Sequence, residues 1–154
     1  MWGSAITAYL HYSSFMLAFA ALTLEQFSLK KELSLAAAWQ IVWADAMYGI
    51  SATIVLVTGI LRVLYFGKGT DYYLHNPLFY MKVSGFLLVG ALSLYPTISF
   101  LTWLKPLRYG APPSLEPVQV DRLSWVIKIE LFGFLLIPLL AAAMARGISF
   151  KTNL

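Results

Sequence analysis

The sequence predicts an all-α integral membrane protein, a four-transmembrane-helix bundle in a single domain of residues 1–154. Three observations carry that prediction. Hydrophobic residues make up 60% of the chain and charged residues only 12%, well outside the balance of a soluble domain. Apolar runs near residues 5–24, 46–66, 79–104 and 125–148 each meet or approach the roughly 20 residues that cross about 30 Å of hydrocarbon as a helix. These runs are apolar on all faces, whereas the strands of a membrane barrel alternate over about ten residues.

The first run begins almost at Met1, as a signal peptide would, but it has no basic leader, it carries His11, and Leu24-Glu25-Gln26 is a poor cleavage site. It is expected to be the first helix. The charged stretch Glu25–Glu32 then leaves the membrane, and Ser34 is a suitable N-cap for the second helix. No proline interrupts the chain from there to Phe66, so this helix should reach about 50 Å and project beyond the bilayer. Gly67-Lys68-Gly69 stops it, and Asn76-Pro77 supplies a cap and a first-turn proline for the third helix. The residues between, with Tyr72, Tyr73 and His75, read as a compact aromatic loop. Lys105–Arg122, with Pro106, Pro112, Pro113 and Pro117, reads as an extended surface connection, and Pro96 and Pro138 lie inside spans.

With no cysteine in the chain, disulfides, thiolate metal sites and c-type haem attachment are excluded. The net charge of +4 comes from residues scattered at helix ends, which argues against nucleic acid as a partner and for anchoring to lipid headgroups. Connections one and three carry Lys30, Lys31, Lys105, Arg108, Arg122 and Lys128. The other side carries Arg62, Lys68, Lys82, Arg146 and Lys151. Discounting Arg62 and Lys82 as intramembrane puts connections one and three in the cytoplasm and both termini outside it.

Ionisable residues within spans are costly and therefore informative. Helical phase groups His11 with Ser14, Ala18 and Glu25 on one face of the first helix, and Lys82 with Gly85, Ser93 and Pro96 on the third. On the second it suggests a stripe of Asp45, Gly49, Ala52, Leu56 and Gly59 with Arg62 at its edge, and on the fourth Glu130, Gly133, Ile137 and Ala141. Alternate helices run in opposite directions, so a basic layer of His11, Arg62 and Lys82 is expected towards one face and an acidic layer of Glu25, Asp45 and Glu130 towards the other. For the acidic layer the simplest expectation is pairing with Lys30, Lys31 or Lys128 at the helix ends. For Arg62 and Lys82 it is snorkelling to the interface. For His11 it is a hydrogen bond in the core. The functional expectation is a b-type haem with His11 as axial ligand and Arg62 and Lys82 on the propionates, in electron transfer or porphyrin oxidation; chlorophyll magnesium is the alternative metal. Tyr9, Tyr12, Phe15, Tyr65 and Phe79 would line the pocket. Two other readings stand beside it: an accessory subunit or assembly factor of a larger respiratory or photosynthetic membrane complex, and a proton or small-solute transporter built on the carboxylates.

The stretch Thr58-Gly59-Ile60-Leu61-Arg62 through Tyr65-Phe66-Gly67-Lys68-Gly69, then His75-Asn76-Pro77-Leu78-Phe79 and Leu94-Tyr95-Pro96-Thr97, together with Tyr9-Leu10-His11 and Met144-Ala145-Arg146-Gly147, resembles an uncharacterised bacterial membrane family, domain of unknown function 2214. That resemblance implies a four-helix protein of a bacterial inner membrane or thylakoid membrane and brings no assigned activity. A more distant likeness is to the HemJ-type protoporphyrinogen oxidase, which has a first-span histidine and a third-span lysine. His11 and Lys82 would take those places, but Pro96 follows Tyr95 where that enzyme has a histidine.

Overall fold

The computed structural model describes residues 2–147. Met1, the end of the expected fourth span at Ile148, and Lys151 lie outside the described residues. Among the described residues there are helices and turns and no strand. Helix α1 spans Trp2–Ser28, α2 spans Leu35–Leu61 and runs on into a π-helical turn at Arg62–Phe66, α3 is the short Thr70–Leu74, α4 spans Pro77–Arg108 and α5 spans Pro117–Ala145. Four of them, α1, α2 with its π-helical turn, α4 and α5, are long and apolar enough to cross a membrane. The all-α, four-span expectation is borne out.

The local signals act where the sequence places them. Ser34 Oγ accepts from the Ala37 amide at 3.1 Å and starts α2. Asn76 Oδ1 accepts from the Leu78 amide at 3.0 Å, with Pro77 filling a position that needs no amide proton. Gly69, at φ +95°, turns the chain into α3, which the sequence reading left as loop. The third connection is shorter than expected, because α4 continues through Pro106 to Arg108 and Pro117 opens α5. Pro106 stands two residues before the end of α4, where few amide bonds remain to be lost.

Sequential helices are antiparallel neighbours: α1 packs along α2 and α4 along α5, and the two pairs join through α2 against α4 and α1 against α5. Small side chains permit the close approach of α1 and α2, with Ala18, Ala21 and Ala38 wholly buried. Between α4 and α5 a Cβ on Gly133 would fall 2.5 Å from Val89 Cγ2, so the glycine is the seat of that valine. The buried stripe of α2 is Ala38, Ile41, Ala44, Asp45, Tyr48, Ser51, Val55 and Thr58. This corrects the expected phase: Gly49 and Leu56 face outward, because the bulk of Tyr48 and Val55 belongs in the core and small residues do not by themselves mark the packed side.

Candidate functional site

Antiparallel pairing fixes which polar groups meet. His11 of α1 lies beside Thr58 of α2, with Nδ1 and Oγ1 2.9 Å apart. Thr58 Oγ1 in turn donates to the Ile54 carbonyl at 2.5 Å. A hydroxyl has one proton to give, so with that proton on the carbonyl Thr58 accepts from His11 Nδ1–H. The tautomer that satisfies both bonds leaves Nε2 with a free lone pair.

His11 borders a cavity of about 320 Å³ between the four spans. Tyr12 and Phe15 of α1, Val55 and Gly59 of α2, Phe79, Lys82 and Phe86 of α4, and Ile137 and Pro138 of α5 make its walls, with Leu56, Ile60 and Leu87 at a rim that faces the bilayer between α2 and α4. Gly59 gives the imidazole its room: a Cβ there would stand 3.4 Å from His11 Cε1. The π-helical turn adds residues to the last turn of α2, and Val63 and Leu64 beside Arg62 line the same cavity.

The expected basic layer is only partly a wall of this cavity. His11 and Lys82 line it, whereas the Arg62 guanidinium stacks over the Tyr12 ring at 4.9 Å, with Nη1 buried and without a hydrogen-bond partner among the described residues. Arg62 and Lys82 both stand near enough to act electrostatically on His11. Of the expected aromatic lining, Tyr12, Phe15 and Phe79 take part, while Tyr9 and Tyr65 point outward, 70% and 73% exposed. Above the cavity α3 is tied down by Tyr72, whose hydroxyl donates to the Met144 carbonyl at 2.7 Å, and by Lys68 Nζ on the Ala145 carbonyl at 3.5 Å. His75 remains at the surface beside Asp71, its Nδ1 3.2 Å from the carboxylate.

Among the described residues the acidic residues have no lysine partners, contrary to the simplest expectation, although Glu25 does lie in the last turn of α1. Glu25 is 1% exposed and Glu130 0%, and none of their four carboxyl oxygens meets a hydrogen-bond partner among the described residues. Glu25 and Glu130 face the bundle axis, whereas Lys128 turns outward over Trp125 and Lys30 and Lys31 lie past the end of α1. Asp45 Oδ1 accepts from Thr97 Oγ1 of α4 at 2.7 Å. Glu25 lies within electrostatic reach of both Asp45 and Glu130, and Tyr48 within reach of all three. Thr58 and Thr97, which hold His11 and Asp45, stand in the sequence within the stretches that carry the family resemblance, but no role was expected of them. The described residues bring no three histidine or carboxylate groups together in a way that could hold a metal ion.

No curated protein and no solved structure matches the chain. A family model described as predicted membrane protein, domain of unknown function 2214, matches residues 3–149. That match takes in all four spans, the cavity and the buried carboxyl groups, and the chain belongs to this family of predicted membrane proteins.

Proposed function

We propose that the protein binds haem b in the cavity, with His11 Nε2 as axial ligand. The observation that carries the reading is the Ile54–Thr58–His11 chain of hydrogen bonds, which orients the imidazole and leaves one nitrogen free to bond a metal. Several further features fit a porphyrin. The walls are apolar and aromatic, and Lys82 on the wall and Arg62 with its unpartnered Nη1 beside it offer cations for carboxylates. The volume is near the lower end of the roughly 300–1,000 Å³ usual for small-molecule sites, so a porphyrin would extend through the rim between α2 and α4 into the bilayer. When bound, the haem would supply one-electron chemistry. The chain itself would fix the ring through His11 and Thr58, place its carboxylates at Lys82, and keep water out with Phe15, Phe79 and Phe86.

The charge bias of the connections supports a cytoplasmic position for them, in a bacterial inner or thylakoid membrane, with both termini on the other side. The test of function is an absorption spectrum of the purified protein, oxidised and reduced, followed by titration of haem-free protein with haemin. Wild type should give a haem spectrum that His11→Ala abolishes and Thr58→Val shifts. A magnesium-porphyrin spectrum seen only when other subunits copurify would favour the accessory-subunit reading, and a protein that takes up no haem would end the proposal.

A further inference from the structure

A file of polar side chains runs through the opposite half of the bundle. It begins at Gln26, whose Nε2 donates to Ser124 Oγ at 2.9 Å where the last turn of α1 meets α5. Beside it on α1 is Glu25, and next come Asp45 of α2 with Thr97 of α4. Tyr48 of α2 and Ser93 of α4 follow, 3% and 8% exposed, and the file ends at Glu130 on α5. Glu130 lies six residues further along α5 than Ser124, or about 9 Å deeper at 1.5 Å per residue. Beyond it the rings of Phe15 and Phe134, 4.9 Å apart, close the axis below the His11 cavity.

Two features of this file point to an occupant. Five side-chain oxygens along it are buried without a partner among the described residues, both of Glu25, both of Glu130 and Oε1 of Gln26. Buried polar atoms in this number are satisfied in proteins by ordered water. The titratable groups within electrostatic reach of one another are Glu25, Asp45, Tyr48 and Glu130, while α4 contributes the hydroxyls of Ser93 and Thr97. Among the described residues no basic side chain forms an ion pair with them, so protons are the charge these carboxyl groups can share.

We propose that Gln26, Glu25, Asp45 and Glu130 form a proton half-channel, open to the membrane face that carries connections one and three and closed at mid-membrane by Phe15 and Phe134. In each step a carboxyl group gives its proton to a water molecule and the water gives one to the next carboxylate; no electron moves and no bond to carbon breaks. The half-channel stands whatever the His11 cavity holds.

Because the chain has no cysteine, single substitutions report access without a background variant. Ser124→Cys, Ser93→Cys and the lipid-facing Thr53→Cys would be reconstituted in vesicles of known orientation and exposed to silver ion from either side, with unreacted thiol counted after denaturation. Ser124→Cys and Ser93→Cys should react from the face of connections one and three at least tenfold faster than from the other, and Thr53→Cys should be protected from both. In parallel, wild-type protein in vesicles would be treated with dicyclohexylcarbodiimide, which reacts with protonated carboxyl groups in apolar surroundings. Mass spectrometry should find the label on Glu25 or Glu130, in an amount that falls as the pH of the accessible face rises. Ser93→Cys as inert as Thr53→Cys, equal reaction from both faces, or labelling that ignores pH would each overturn the half-channel. A protein without haem but with sided access at Ser93 would overturn the haem reading alone.

Discussion

The two halves of the bundle solve opposite problems with the same four helices. Around His11 the imidazole is hydrogen-bonded to Thr58, the buried Arg62 Nη1 waits for an anion, and the packing is loose, so a cavity of about 320 Å³ remains. Around Glu25 and Glu130 the apolar side chains are shut away from the surface, with Leu22, Ile41, Leu123 and Ile127 no more than 1% exposed, and it is the carboxyl oxygens that lack a partner among the described residues. A porphyrin needs a continuous volume, whereas a proton needs only acceptors linked by single water molecules. The contrast therefore separates where an organic ligand can sit from where charge alone can move.

If the halves differ in this way, they should respond unequally to loss of side-chain volume. Phe134, 1% exposed, packs against Phe15 and Tyr48, and Phe134→Ala should cost about 3–5 kcal/mol, read as a fall in thermal midpoint in detergent. Truncating Leu56 at the cavity rim, already 43% exposed, should cost under about 1.5 kcal/mol. Similar losses at the two sites would contradict the division.

Polarity gives the opposite sign. The Glu130 carboxyl group has no protein partner among the described residues and meets only water in the half-channel, so Glu130→Met should leave the thermal midpoint unchanged or raise it by the equivalent of at most about 1–3 kcal/mol, even as it removes the carbodiimide site, while Glu25→Gln, which keeps polar atoms in place, should change it less. A midpoint lowered by Glu130→Met would mean that this carboxyl group is held by contacts the packing does not reveal. The glycines sharpen the point further. Gly133→Ala forces Val89 aside and should cost on the order of 1–3 kcal/mol, whereas Gly85→Ala, with Ile137 Cγ1 4.0 Å away, should be close to neutral; the same thermal assay compares them. A modest effect is expected outside both halves: Ser34→Ala removes the α2 cap, and about 1 kcal/mol should be lost without any change in haem uptake.

How far the sequence revealed this arrangement depended on whether a signal was local. The four spans, the Ser34 and Asn76 caps and the uninterrupted reach of α2 were legible because hydropathy and capping are read from neighbouring residues. His11 and Lys82 at one end and Glu25, Asp45 and Glu130 at the other followed from counting along antiparallel helices. What could not be counted was rotation about α2: Gly49 was placed inward and Tyr48 was overlooked, since small residues and aromatic ones both pack well and only the neighbouring helices decide between them. Burial of the carboxyl groups away from Lys128 escaped for the same reason. Charge balance suggests a pair, but the two side chains leave α5 on different faces.

The π-helical turn at Arg62–Phe66 carries a consequence for how this chain tolerates change in length. An α-helix turns about 100° per residue, so one residue fewer between Leu61 and Gly67 would let the helix run on regularly and swing everything after it by that angle. Phe66 would leave its place against Gly3, where a Cβ would stand 3.2 Å from the ring, and Gly67 would no longer present its bare Cα to Tyr73, whose hydroxyl leaves no room for a Cβ. With both fits gone α3 could not rest on the end of α5, and Val63 and Leu64 would turn out of the cavity wall. Along this family, then, insertions and deletions should collect in the connection before Pro117 and be purged from these five residues, for a reason of rotation rather than of chemistry.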